Sequence, residues 1–304
     1  MRKILNNLRY FKISKENLES TLDKFYIFEK QHTELEKYID NTKEIKNILI
    51  TIKTLLNNKE KDKIVNNYFD KLSNTLGKFS NCSEFSCFVS ACDSASKFVK
   101  QDKELLKEIT LRYFKNRDLS EIVPREWVQA VLDTNSSRKK GNCGENKLLS
   151  ILNNHKFVKV DTWEEFKKSK KCVAKFSSRF DLKSVRGKLN VKIKTKKQNK
   201  RLDLIIKFKN KIFFIEAKHL NTAGGGQDKQ ISELIEIISL KENNKNIHYI
   251  SFLDGSYSNI ILGDNKVRGK IKIQRREINK FLNQNHNNFW VNTAGFKKLI
   301  FDLK

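Results

Sequence analysis

The stretch that most restricts the fold is LDLIIKFKNKIFFIEAK, residues 202–218. Two apolar runs flank a Lys209-Asn210 turn, which is the pattern of a β-hairpin. The spacing predicts strands over Leu202–Phe208 and Ile212–Lys218. A chain built around such a hairpin must carry a sheet, and the surrounding segments decide what kind.

After the hairpin come Gly224-Gly225-Gly226 and then Ile231, Leu234, Ile235 and Ile238 at helical spacing. Ile247–Leu253 reads as a buried strand closed by Asp254-Gly255, and Tyr257–Leu262 as a further strand. Glu277–Leu282 and Phe296–Phe301 read as helices. Upstream, Glu145–Leu152 reads as a helix opened by the turn-like DTNSSRKKGNC. Phe157–Asp161 is a short strand and Trp163–Ser169 a short helix. This predicts an α/β domain with a mixed central β-sheet flanked by helices, spanning 133–304. Residues 1–132 are expected to form a separate all-helical domain. Its apolar positions recur at three- and four-residue steps: Leu18, Leu22, Phe25 and Tyr26; Ile45, Ile48, Leu49, Ile52 and Leu55; Tyr68, Phe69, Leu72 and Leu76. The single proline, Pro124, marks a boundary or the start of a short helix.

Charge narrows the partner. Sixty-two Lys and Arg against 35 Asp and Glu leave a net charge of +27 over 304 residues. Such a surplus favours a polyanion, although an AT-rich genome also inflates lysine. No apolar run is long enough to span a bilayer, and the N-terminus is too often interrupted by polar residues for a signal peptide. The five cysteines, Cys82, Cys87, Cys92, Cys143 and Cys172, form no CxxC pair and are expected as reduced thiols. A cytoplasmic location without membrane association follows as the expectation.

The hairpin also carries the chemistry. Side chains alternate along a strand, so Glu216 and Lys218 share a face and Ala217 takes the other. If the register brings Asp203 opposite, two carboxylates and an ammonium meet at one edge of the sheet. A one-residue slip would turn Asp203 away. The bland alternative is a solvated Glu216–Lys218 pair on an edge strand. Two carboxylate oxygens suit Mg²⁺, which prefers oxygen ligands and retains waters, and the backbone carbonyl of Ala217 is a further candidate ligand. A bound Mg²⁺ polarises a phosphate and acidifies a water, while Lys218 positions that water or offsets developing charge.

Asp203, Glu216-Ala217-Lys218 and the spacing between them resemble the core motif of the PD-(D/E)xK nuclease superfamily, which includes many type II restriction endonucleases. The resemblance covers roughly 138–304 and implies a restriction-endonuclease-like core. It also implies a metal-proximal Glu on the first core helix, which Glu145 matches; the alternative is a helix-terminal charge stabilised by the dipole. One departure is Arg201-Leu202 before Asp203, where the motif's name has proline. The glycine loop and the strand ending in Asp254-Gly255 resemble, more loosely, restriction enzymes of the DpnII/MboI type.

Further expectations concern DNA. The 183–201 segment holds nine basic residues and no acidic one. The alternation of Leu189, Val191 and Ile193 suggests a β-ribbon presenting Lys192, Lys194, Lys196 and Lys197 to phosphates; a disordered lysine tract is the alternative. Arg138, Lys139 and Lys140 precede the Glu145 helix and are further candidates. Gly225, Gln227 and Gln230 could approach a phosphate or the site. His219 points away from Lys218 and is read as structural or DNA-proximal.

The resemblance therefore implies a type II restriction endonuclease: Mg²⁺-dependent hydrolysis of duplex DNA at a short specific sequence. It also implies a homodimer and a cognate DNA methyltransferase as genetic partner. The alternatives are a repair or junction nuclease of the same superfamily and a non-catalytic DNA-binding protein on that fold.

Overall fold

The computed structural model describes residues 5–21, 23–26, 31–134, 137–195, 201–222, 224–263 and 267–303, the side chains of 137–142 excepted. The chain forms two compact units, Phe28–Ser137 and Met1–Ile27 with Arg138–Lys304. This corrects the expected boundary at 132. Helix α1 (Asn7–Glu16) belongs to the larger unit because its polar side chains are bonded there. Asn7 donates to the carbonyl oxygens of Leu282 and Asn285, and Asn292 donates to those of Ser14 and Asn17.

The smaller unit is helical, as its periodicity predicts. It holds α2 (Leu35–Asn57), α3 (Asp62–Thr75), α4 (Glu84–Ala91), α5 (Ser96–Val99), α6 (Lys103–Asn116) and α7 (Arg125–Thr134). Ile45, Leu49 and Ile52 of α2 bury against Phe69 and Leu72 of α3 and Leu106 and Tyr113 of α6. Ser83 and Asp102 cap α4 and α6 with side-chain oxygens. Pro124 stands just before α7, and its carbonyl accepts from Val128. The stripe expected at Leu18–Tyr26 is not helical among its described residues, and Leu18 is exposed.

The larger unit continues with α8 (Ser137–Asn154), β1 (Val158–Lys159), α9 (Trp163–Lys168), β2 (Lys171–Lys175) and α10 (Leu182–Leu189). Then come β3 (Leu204–Phe208), β4 (Lys211–His219), α11 (Gly225–Ser239), β5 (Ile247–Asp254) and α12 (Ser256–Leu262). The last elements are α13 (Gly269–Gln284), β6 (Phe289–Val291) and α14 (Thr293–Asp302). The six strands lie side by side in chain order. β2, β3 and β4 form an antiparallel meander; β1 runs parallel to β2, and β4, β5 and β6 are mutually parallel. The domain is thus α/β with a mixed sheet.

Three expectations change. Tyr257–Leu262 is helix rather than strand, because Gly255, at φ 84°, turns the chain directly after β5. A Cβ there would lie 2.4 Å from the Leu220 carbonyl oxygen, so only glycine fits. Among the described residues the expected basic ribbon is not formed. Asp181 caps α10 over the first part of that segment, and Asn190 ends it in the left-handed region. Val191 and Ile193 are buried as the alternation predicts, but the Val191 amide donates to the Arg186 carbonyl, the Lys192 and Ile193 amides donate to Glu242, and the Arg186 side chain donates to the Ile193 carbonyl, with no neighbouring strand among these partners. Finally, the turn expected before Glu145 is helix, since α8 begins at Ser137.

The sheet is covered on both faces, which explains its nearly unbroken apolar strands. Leu204, Ile206, Phe213, Ile215, Ile250 and Phe252 face α1, α8 and α14. Ile205, Phe214 and Tyr249 face α10 and α11, and Leu253 and Trp290 face α11, α12 and α13.

Candidate active site

The hairpin register pairs Leu204 with Ile215. Regular pairing stops there, and the Asp203 amide still donates to the Ile215 carbonyl oxygen at 2.9 Å, which holds Asp203 against β4 close enough to Glu216 for their charges to interact. Glu216 shares a face with Phe214, under α10 and α11. Lys218, two residues on, shares it too.

Glu216 is 2% exposed. Its Oε1 accepts from Lys218 Nζ at 2.5 Å. Asp203 Oδ2 accepts from the Ala217 amide at 2.7 Å. A strand residue sends its N–H and C=O to the same side, so the Ala217 carbonyl also leaves β4 toward Asp203. Ala217's methyl packs on the opposite face, against the α8 and α14 core.

Two carboxylates so placed repel. Burial and the Glu216 charge push the Asp203 carboxyl up to about 7, against the pull of Lys218 and the Ala217 amide. Burial alone would lower the Lys218 ammonium, but Glu216 and Asp203 outweigh it and raise it, so this lysine is a cation at neutral pH.

Asp203 titrates in a direction that costs stability. Its folded value lies above the unfolded one, about 3.9, so the folded state holds the proton more tightly. The contribution is greatest below pH ~4 and is lost as pH rises toward 7. Asp203→Asn keeps an acceptor for the Ala217 amide and removes the charge. It is expected to match the wild type at pH 4 and to exceed it at pH 8 by on the order of 2–4 kcal/mol. Urea unfolding at the two pH values checks this; equal stability at pH 8 would contradict it.

The other candidates are placed less uniformly. Glu145 sits in mid-helix, so the helix-terminal reading does not apply. Its charge reaches Asp203, but its carboxylate pairs with Lys175 of β2 at 2.6 Å. Gly225 and Gln227 occupy the first turn of α11, and Gln230 is half-buried there. One turn further on, Glu233 of α11 acts on the Lys218 charge; sequence reading missed it. Lys192 and Lys194 are exposed. Lys196 and Lys197 and the side chains of Arg138, Lys139 and Lys140 lie outside the described residues. Among the described residues, no three His, Cys, Asp or Glu side chains are arranged to hold a metal ion.

On the opposite face of β4 lies a second polar cluster. His219 Nδ1 is 3.0 Å from Asp254 Oδ1, and the Tyr26 ring stacks on the imidazole. Lys147 of α8 is buried among Asp254 at 2.8 Å, Glu19 at 3.5 Å and Asp23. These carboxylates raise the Lys147 ammonium despite its burial, and burial with the nearby Asp254 charge raises the Tyr26 phenol. Asp254 was visible in the sequence as a strand-ending Asp-Gly. Nothing in the spacing marked Lys147 as its partner.

Comparison of the chain with protein-family models, characterised proteins and solved structures finds no match. No described helix is long and apolar enough to cross a membrane.

Proposed function

We propose that the chain is a Mg²⁺-dependent endonuclease of the type II restriction kind, cutting duplex DNA at a short specific sequence. The observation that carries this reading is the convergence of three side chains at the end of β4: Asp203 accepts from the Ala217 amide, and the flanking Glu216 and Lys218 bond each other beside it. The order α8, the β2–β4 meander, α11 and β5 supports reading the sheet as a restriction-endonuclease-like core. The Glu-bearing helix precedes the hairpin and the glycine turn follows it, as in the family the motif resembles.

The residues fit a hard divalent cation. Asp203 and Glu216 supply oxygen donors, and the Ala217 carbonyl leaves the strand on the same side. Mg²⁺ tolerates so few protein ligands because it keeps its waters. Burial first and the Glu216 charge second raise the Asp203 carboxyl, and a cation between the two carboxylates would offset the second of these. When bound, Mg²⁺ would polarise a phosphodiester and lower the pKa of an attacking water.

The protein's own groups do the rest. The Ala217 amide orients the Asp203 carboxylate, and Glu216 holds Lys218 as a cation beside it. That ammonium is the donor available to an attacking water or to the charge gathering on a phosphate oxygen. Glu233 adds negative charge that keeps Lys218 protonated. On the restriction reading, the chain works as a cytoplasmic homodimer alongside a cognate methyltransferase. The dimer lets two sites meet the two strands of a palindrome.

Digestion of phage DNA by purified protein in Mg²⁺ tests the proposal. Discrete fragments are expected. A smear would contradict the restriction assignment, and intact DNA would contradict the nuclease itself.

A further inference from the structure

We infer that the outer face of α13 is a docking surface for the phosphate backbone of duplex DNA. Its inner positions are already committed: Ile278 and Leu282 join the core over the sheet, and Gln274 is buried. Two cations on the helix hold the fold together. Lys270 pairs with Asp228 in the first turn of α11 at 2.9 Å. Arg275 donates to the carbonyl oxygens of Ile260 and Ile261 near the end of α12.

The remaining four cations behave differently. Arg268, Lys272, Arg276 and Lys280 recur every fourth residue and are all exposed. Among the described residues, none of them lies within ion-pair distance of a carboxylate. Helix geometry spreads the row over ~18 Å in steps of ~6 Å, drifting about 40° per step. The only acid on the helix, Glu277, follows Arg276 and is turned about 100° from it. The four cations line a groove of about 720 Å³ that Asn279 and Asn283 also line.

Like charges one helical turn apart repel, and nothing described in the protein neutralises them. A polyanion does. Arg and Lys suit phosphate oxygens, and Asn amides add neutral donors of the kind that contact DNA backbone without reading bases. The location favours DNA over other polyanions. α13 lies in the helical layer on the sheet face that bears Glu216 and Lys218, tied to the start of α11 through Asp228. The choice of duplex DNA rests on the nuclease reading; the charge row does not.

The test uses the full chain, a 30-base-pair duplex and Ca²⁺ in place of Mg²⁺, with affinity measured across a salt series. The variant carries Arg268→Gln, Lys272→Gln, Arg276→Gln and Lys280→Gln, and the single Arg276→Gln is run beside it in case the fourfold change disturbs folding. Each neutralised phosphate contact removes about 0.9 from the slope of log affinity against log salt. The fourfold variant is therefore expected to lose about 3 to 4 of slope and at least about tenfold in low-salt affinity. Arg276→Gln alone should lose about 1. Unchanged slopes in both variants would overturn the inference. So would a wild type that binds acidic vesicles through this row but not the duplex. If the row governs duplex binding and Mg²⁺ still yields no cutting, the nuclease reading fails and the docking surface stands.

Discussion

Asp203→Ala and Glu216→Ala are each expected to lower the rate of DNA cleavage by at least about a thousandfold, with duplex binding in Ca²⁺ retained. The magnitude follows from what each change removes. Loss of a single well-placed electrostatic contact to a transition state costs about 10²–10³ in rate, and these residues are the two carboxylate donors of the proposed metal site. Glu216→Ala also leaves Lys218 without its 2.5 Å partner. Asp203→Ala leaves the Ala217 amide without its acceptor. Binding should survive because phosphate contacts come from basic side chains elsewhere. Single-turnover cleavage of a defined fragment, with a parallel gel shift, separates the two effects. Full activity in either variant would remove that residue from the chemistry.

Lys147→Met is expected to destabilise the protein by about 3–5 kcal/mol, the usual result of removing one partner from a buried ion cluster. Lys147 is 2% exposed and Asp254 is fully buried. Without the ammonium, Asp254, Asp23 and Glu19 face one another with no cation between them. Methionine replaces the volume, so packing loss is small. The deficit should shrink as pH falls, because in the wild type the Lys147 bond outweighs burial and holds the Asp23 carboxyl below its ordinary value, a contribution that is lost as Asp23 takes up a proton. Adding Asp254→Asn should recover part of the loss at pH 8. Urea unfolding of the wild type, the single variant and the double variant measures this. A change below about 1 kcal/mol for Lys147→Met would mean the cluster contributes little to stability.

The cluster has a structural consequence. Glu19, Asp23 and Tyr26 belong to the N-terminal segment, and they bond to Lys147, Asp254 and His219 of the sheet domain. This fastens the segment after α1 against the strand that carries Glu216 and Lys218. It also explains why residues 7–26 join the sheet domain and not the helical unit that follows.

The parts of the fold legible in sequence were those where local pattern and tertiary demand agree. The β3–β4 hairpin was readable because a strand buried on both faces is nearly continuously apolar, and between Leu204 and Ile215 the polar residues, Lys207, Lys209, Asn210 and Lys211, gather around the turn. Glu216 and Lys218 were fixed to one face by alternation alone. Asp203 needed the register, a long-range property that the sequence leaves open by one residue. The 183–194 stretch misled because an alternating burial of Leu189, Val191 and Ile193 suits a strand as well as it suits a capped helix followed by an irregular segment. Asp181, three residues before Ser184, was the signal for the helix. Tyr257–Leu262 misled because a short apolar run fits either structure; Gly255 decided it. Lys147 and the cation row of α13 were hidden for another reason. A charged residue in a helix shows its partners, or its lack of them, only when the neighbouring elements are in place.

Asp203, Glu216 and Lys218 are proposed to form a metal-dependent site for phosphodiester hydrolysis. The most direct measurement is the rate at which supercoiled plasmid is converted to linear form at pH 8 as Mg²⁺ is varied. The rate is expected to rise with Mg²⁺ to saturation and to fall to zero when the metal is chelated with EDTA. Conversion that continues in EDTA, or none at any Mg²⁺ concentration, would contradict it.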